Sequence, residues 1–157
     1  MLPLLGVPGT ALPAASERQA IEVGTVEWGR DFEGALEESK RSGKPVLVLF
    51  QEVPGCAGCR QFGREVLTHP VIVSAMESEF IPILVYNNRP GRDAEILERY
   101  GEPAWNYQVI RFLDGSGKDI IPRRDRVWTV EGVAGRMVEV LEVRGRGVPG
   151  DLRGLVD

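Results

Sequence analysis

Two cysteines stand three positions apart in the segment EVPGCAGCR (52–60), and they are the only cysteines of the chain. Cys56 and Cys59 follow a run of apolar residues. Two thiols at this spacing in the first turn of a helix lie within reach of a disulfide bond. The pair could therefore exchange disulfides with a partner, contribute to a metal site or form a structural bond.

The position of each cysteine in such a helix gives it a different role. A sulfur at the helix start meets unpaired N–H groups and the positive end of the helix dipole, which stabilise a thiolate. Cys56 is therefore expected to be the exposed nucleophile that attacks a partner's disulfide. Cys59, one turn into the helix and facing the core beside Phe62, is expected to resolve the resulting mixed disulfide.

Two other uses of the pair are less favoured by the sequence. A structural zinc site needs about four ligands, whereas the chain offers two cysteines and a single histidine, His69. A disulfide that closes so short a loop would remove little chain entropy. Thiol-disulfide exchange is the preferred interpretation, and inert thiols or transient metal binding remain the alternatives.

The composition indicates one domain. The chain has 157 residues, of which 43% are hydrophobic, and this is enough for a single compact core. Its formal charge is −4, and no basic stripe is present, so no nucleic-acid partner is expected. A membrane span needs roughly 18 to 20 consecutive apolar residues. No segment of the chain approaches this length, so no membrane span is expected.

The two ends differ from the middle in composition. Residues 1–24 are interrupted by prolines and glycines, which predicts a flexible leader or the remnant of a targeting segment. The compartment stays open between the cytoplasm and an exported location such as the periplasm. Residues 144–157 are rich in glycine and arginine and predict a flexible tail. The folded domain is expected over residues 25–143.

Between the ends, helical periods of apolar residues alternate with short apolar runs that are typical of buried strands. Asp31 is the expected N-cap of the first helix. The predicted order is helix 31–43, strand 45–50, a helix that the cysteines open and Pro70 interrupts, strand 80–86, helix 93–100, strand 107–113, a short strand at KDII (118–121) and a closing helix through 133–141. This alternation predicts an α/β fold.

These motifs together resemble the thioredoxin-like family. The shared pattern runs through KPVLVLFQEVPGCAGCRQFGREVLTHPVIVSAMESEFIPILV (44–85), with a W-x-x-x-F-x-x-A-L motif beginning at Trp28 and FLDGSGK at 112–118. The resemblance covers about residues 26–142. It implies the thioredoxin fold, a central mixed β-sheet flanked by helices, with Cys56 and Cys59 as the redox pair and no cofactor or resident metal.

The chain departs from that family around the cysteines. Pro54 and Gly55 stand where the family usually has an aromatic residue before the first cysteine, so Gly55 is a candidate for substrate contact. The buried aspartate that thioredoxins carry in the preceding strand is replaced by the apolar run PVLVLF (45–50). Glu52 is then the nearby carboxylate that could take part in proton transfer.

A third departure concerns the cis-proline that faces the cysteines in thioredoxins. Counting back from the FLDG turn places Tyr107 or Gln108 there, because Pro103 comes too early. A cis bond before a residue other than proline costs about 2.5 to 4 kcal/mol, so a trans peptide and an altered groove are expected. Trp105, Tyr107 and Gln108 are candidates for substrate binding, with the alternative that Trp105 and Tyr107 plug the core. Trp128 is expected to pack in the core.

The residues and the resemblance together predict a thiol-disulfide oxidoreductase that acts on a protein disulfide or dithiol, with a second redox protein to recycle the pair. The departures support an alternative, a thioredoxin-like protein-interaction module whose cysteine pair is non-catalytic or binds a metal transiently. A further alternative is reduction of a small oxidant such as a peroxide through a Cys56 sulfenate.

Overall fold

The computed structural model describes residues 19–105 and 107–157 of the chain. Within these residues it contains a short 3-10 helix (Ile21–Val23), six α-helices and three strands. The helices are α1 (Phe32–Ser42), α2 (Ala57–Glu65), α3 (Pro70–Glu79), α4 (Arg92–Tyr100), α5 (Val130–Val143) and α6 (Gly150–Gly154), and the strands are β1 (Val46–Gln51), β2 (Ile81–Tyr86) and β3 (Gln108–Leu113). No helix in these ranges has the length and apolar character that crossing a membrane requires.

The strands form one mixed sheet in the order β2-β1-β3. β1 pairs parallel with β2 and antiparallel with β3. All six residues of β1 are buried, as expected for a central strand covered on both faces. The side chains of α2, α3, α5 and α6 form a core on one face of the sheet, and those of α1 and α4 form a second core on the other. The predicted α/β class, with a central mixed sheet flanked by helices, is confirmed.

The first helix begins and ends where local chemistry predicts. The Asp31 side chain accepts a hydrogen bond from the backbone N–H of Gly34 at 2.9 Å, which satisfies an N–H group that the first turn leaves unpaired. Gly43 adopts the left-handed conformation with φ of 76°, and glycine reaches this conformation at no steric cost. The chain then enters β1 directly.

The helix that the cysteines open is divided into two helices. α2 ends at Glu65, and α3 begins at Pro70. Proline is well suited to the first position of a helix because its missing N–H would be unpaired there anyway. The predicted short strand at 118–121 is wrong, because the structure has only an isolated bridge between Leu113 and Asp119 at this place.

Both ends of the predicted domain differ from expectation. Residues 1–18 of the predicted leader lie outside the described residues, but Val23 near its end is buried and the 3-10 helix around it contacts α2. Residues 144–157 are not a loose tail. α6 packs against α3 and α5, and Leu152 is fully buried in their shared core. The apolar residues of this Gly/Arg-rich segment follow no helical or strand period, so its sequence pattern does not reveal this docking.

Candidate active site

The two cysteines lie at the start of α2, as expected. Cys56 is the N-cap residue in an extended conformation, and its sulfur accepts a hydrogen bond from the backbone N–H of Cys59 at 3.2 Å. This contact takes the place of the side-chain oxygen that usually caps a helix. The Cys56 sulfur is thereby held against the positive end of the helix dipole.

The two sulfurs face each other but differ in solvent exposure. Both cysteines are free thiols, and their Sγ atoms lie 2.8 Å apart. Cys56 is half-buried, whereas Cys59 is 0% exposed. A partner's sulfur can approach Cys56 from solvent, and Cys59 stands directly behind it.

Burial also changes the acidity of the inner thiol. Loss of solvation raises the pKa of Cys59 to about 12, and the hydrogen bond with Cys56 acts in the same direction. Attack on a disulfide requires a thiolate. Cys59 can therefore react only when groups around it help it to lose its proton. One polar side chain that it contacts is Gln108.

Gln108 is the residue that β3 places opposite the sulfurs. It is the first residue of β3, pairs with Gln51 of β1, and its Oε1 accepts a hydrogen bond from the Cys59 thiol at 3.3 Å. Gln108 is 8% exposed. Tyr107 and Gln108 were the two candidates for the position that faces the cysteines, and Gln108 is the residue that lies there.

Tyr107 lies away from the sulfurs, on the opposite face of the chain from Gln108, and its predicted role in substrate binding stays a prediction. Successive side chains of an extended chain point to opposite faces, and Tyr107 packs against the core formed by α1 and α4. Its hydroxyl accepts a hydrogen bond from Arg123, which also donates to the fully buried carboxylate of Glu102 at 2.6 Å. Its backbone oxygen accepts from Asn87 at 2.8 Å. Tyr107 thus fixes the chain before β3.

A groove of about 470 Å³ begins at the exposed side of Cys56. It is lined by Cys56, Gly58, Gln61, Phe62, Glu65, Gln108, Trp128 and Thr129. Trp128 is 48% exposed, so it does not pack fully in the core as expected, and its indole supplies the large apolar surface of this groove. Trp105 is 69% exposed and lies outside the groove lining. The structure does not bring Trp105 into contact with the cysteines, and it does not plug the core.

Gly55 is enclosed by the groups around Cys59. A Cβ atom at this position would lie 2.6 Å from the Cβ of Cys59 and 2.6 Å from the backbone oxygen of Glu52. The N–H of Gly55 donates to Oε1 of Glu22 at 3.1 Å, so this group is already occupied. Gly55 is therefore required for packing of the cysteine loop, whereas its role in substrate contact stays a prediction.

Glu22 is a site residue that no sequence pattern predicts. Its side chain belongs to the 3-10 helix and is 5% exposed, and it orients the loop before Cys56 through Gly55. Gln51 reinforces the same link, because its amide donates to the backbone oxygens of Glu22 at 2.8 Å and Cys59 at 3.5 Å. Position 22 falls in the predicted leader, where no periodic pattern indicates burial.

Glu52 lies close enough to Cys59 for its negative charge to raise the pKa of that thiol, after the larger effects of burial and of Cys56. Within the described residues, its carboxylate makes no hydrogen bond with either sulfur. Proton transfer through Glu52 therefore stays a prediction.

In the part of the chain that the structure describes, no group of three or more His, Cys, Asp or Glu side chains is arranged to hold a metal ion.

The model of a family described as thioredoxin-like matches residues 27–115, more than half of the chain. The structure is similar to an oxidoreductase, DsbH, with a TM-score of 0.60 and 18% identity, covering 86% of this chain and 95% of that one. A search of curated proteins finds no match.

Two further solved structures have the same fold. One is a thioredoxin from Thermus thermophilus, with a TM-score of 0.53, 23% identity and coverage of 75% of this chain and 86% of that one. The other is a putative disulphide isomerase from Bacteroides thetaiotaomicron, with a TM-score of 0.51, 15% identity and coverage of 84% and 100%. At these identities the similarities establish the thioredoxin fold predicted from the sequence.

Proposed function

The chain belongs to the thioredoxin-like family, and we propose that it is a thiol-disulfide oxidoreductase whose redox pair is Cys56 and Cys59. One observation carries this proposal. Cys56 is a half-buried residue at the start of α2, and its sulfur lies 2.8 Å from the sulfur of the fully buried Cys59. This arrangement provides a nucleophile that a partner can reach and a second thiol that can displace the partner.

The exchange takes place in two substitutions at sulfur. The Cys56 thiolate attacks one sulfur of a partner disulfide, the partner's S–S bond breaks, and the other partner sulfur leaves as a thiolate. Cys59 then loses its proton and attacks the Cys56 sulfur, so that the mixed disulfide breaks and the second partner sulfur leaves. The partner gains two electrons and two protons, and the cysteines form a disulfide. The reverse sequence oxidises a dithiol.

The proposed substrate is a protein whose cysteine lies on an extended segment. A partner sulfur must come within bonding distance of Cys56, and the groove at Cys56 continues past Gln108 to Trp128. The exposed indole offers an apolar surface beside the reacting sulfurs, as the residue before the first cysteine does in other family members. A separate redox protein must restore the starting state of the pair.

The test measures reduction of a disulfide-bonded protein in the presence of a chemical reductant. The proposal predicts turnover by the unmodified chain and loss of turnover in Cys56→Ser. Cys59→Ser serves as the matched control, because it keeps the nucleophile and should release one partner sulfur without completing the cycle. No turnover by the unmodified chain, together with an unaltered ability to bind a protein partner after both substitutions, would favour the interaction module instead.

A further inference from the structure

Gln108 lies between the buried thiol and the open groove. Its Oε1 accepts a hydrogen bond from the Cys59 thiol at 3.3 Å, while the same side chain forms part of the groove lining beside Cys56. The backbone that carries it is fixed, because β3 pairs with β1 at this residue. The Gln108 amide is thus held close to both reacting sulfurs.

A second buried glutamine shows what is unusual about this amide. Gln51, the strand partner of Gln108, is held at both ends of its amide. Its Nε2 donates to Glu22 and Cys59, and its Oε1 accepts from the N–H of Glu52 at 3.2 Å. Within residues 19–105 and 107–157, the amide of Gln108 has Cys59 as its hydrogen-bond partner. Both amide atoms of Gln51 are hydrogen-bonded, whereas the contact described for Gln108 involves its amide oxygen.

The chemistry of Cys59 requires opposite hydrogen bonds at two stages. A thiol donates a hydrogen bond, but the thiolate that attacks the mixed disulfide can only accept one. A glutamine amide carries both an acceptor oxygen and a donor NH₂, and rotation about its last torsion exchanges them. A single side chain can therefore satisfy Cys59 before and after it loses its proton.

We propose that Gln108 is a positioning residue for the resolving step: its amide accepts from the Cys59 thiol and then turns to donate to the Cys59 thiolate. The thiolate attacks the Cys56 sulfur of the mixed disulfide, and the partner's sulfur leaves with the electron pair. The proton of Cys59 passes to solvent in the groove. This inference rests on the proposed function, because it describes the second of the two exchange steps.

The Gln108 amide can form one hydrogen bond with the Cys59 thiol and another with the Cys59 thiolate, and their relative strength decides which form it favours. A bond to an ionised group is roughly twice as strong as a neutral one, so an amide that turns favours the thiolate overall. The surroundings of Cys59 act the other way: burial raises its pKa most, and the side chain of Cys56 before α2 and the charge of Glu52 after β1 act in the same direction. Glu22 on the 3-10 helix is a further acidic group beside the cysteine loop. The neutral amide is a donor that does not add to this negative charge.

The test follows the reaction of the reduced chain with a symmetric aromatic disulfide that releases a coloured thiolate. The first equivalent reports attack by Cys56, and the second reports resolution by Cys59. We expect Gln108→Met, which keeps the shape but removes the amide, to slow the second release about tenfold. The first release should slow clearly less than the second. The rate–pH profile of the second release should move to higher pH, because the thiolate has lost its donor.

Opposite results overturn the inference. An amide that stays fixed as an acceptor favours the neutral thiol, so its removal would speed the second release and move the profile to lower pH. Equal slowing of both releases, with a lower unfolding temperature, would indicate a structural role, and Gln108→Leu repeats the comparison if the methionine variant folds poorly. Absence of a second release from the unmodified chain would instead contradict the proposed function itself.

Discussion

The sulfur of Cys56 accepts a hydrogen bond from the backbone N–H of Cys59 at 3.2 Å, so one helix turn joins the two reactive residues. The same turn separates their environments. Cys56 borders the groove, and Cys59 is fully buried with its thiol directed at Gln108. The proposed division into an attacking and a resolving thiol depends on this difference.

Alkylation should distinguish the two thiols. Burial raises the pKa of Cys59 to about 12, so near neutral pH almost none of it is thiolate, and the fraction increases as pH rises towards that value. We expect a soluble alkylating reagent to modify Cys56 first at about pH 7, and Cys59 only at much higher pH or after unfolding. Mass spectrometry of peptides containing one or both labels measures the order. Equal labelling of both thiols in the folded chain at neutral pH would contradict the buried, protonated state of Cys59.

Two glycines near the cysteines should respond differently to alanine. A Cβ at Gly55 would lie 2.6 Å from the Cβ of Cys59, whereas a Cβ at Gly58 would approach the Cys56 sulfur only to 3.8 Å. We expect Gly55→Ala to lower the free energy of unfolding by about 1 to 3 kcal/mol and to reduce activity. Gly58→Ala, the matched control within α2, should leave stability unchanged or raise it by up to about 1 kcal/mol. Denaturant titration of both variants checks this, and equal losses would argue against crowding at Gly55.

The two exposed tryptophans should differ in their effect on protein substrates. Trp128 lines the groove at Cys56, and Trp105 does not. Truncating an aromatic anchor commonly costs more than 1 kcal/mol of binding, so Trp128→Ala should raise KM for a protein disulfide by about five- to tenfold with a small effect on kcat. Trp105→Ala should raise KM for the same substrate less than Trp128→Ala does. The measurement is steady-state reduction of one protein substrate, and a larger effect at Trp105 would place the binding surface elsewhere.

The C-terminal segment should contribute to the stability of the whole domain. Leu152 is 0% exposed and packs in the core shared by α3 and α5, while Val156 is 44% exposed. We expect Leu152→Ala to lower the free energy of unfolding by about 2 to 5 kcal/mol. Val156→Ala should change it by less than about 0.5 kcal/mol. Urea unfolding gives both values, and similar small effects would mean that α6 is dispensable.

Local patterns were sufficient to predict much of the fold. The unbroken apolar run before the cysteines predicts a strand buried on both faces, and all of β1 is buried. Asp31 and Gly43 mark the two ends of α1 because the capping chemistry involves only neighbouring residues. The position of Cys56 at a helix start follows from the same kind of local argument.

The rest of the site depends on contacts between distant residues. A shift of one residue in the register of a strand moves every side chain to the opposite face, so the sequence could not choose between Tyr107 and Gln108. Glu22 is buried beside the cysteine loop and Leu152 between α3 and α5, although both lie in segments whose composition indicates loops. The exposure of Trp128 likewise depends on the groove that α2 and β3 form with its loop.

The division of roles between the two sulfurs is tested most simply by the covalent adduct that each single-cysteine variant forms with a disulfide-bonded protein. We expect Cys59→Ser to accumulate a mixed disulfide at Cys56, because the resolving thiol is missing and the half-buried Cys56 remains reactive. Cys56→Ser should form little adduct, since Cys59 is buried and protonated. Equal adduct formation by the two variants, or none by Cys59→Ser, would contradict the proposed roles of the two sulfurs.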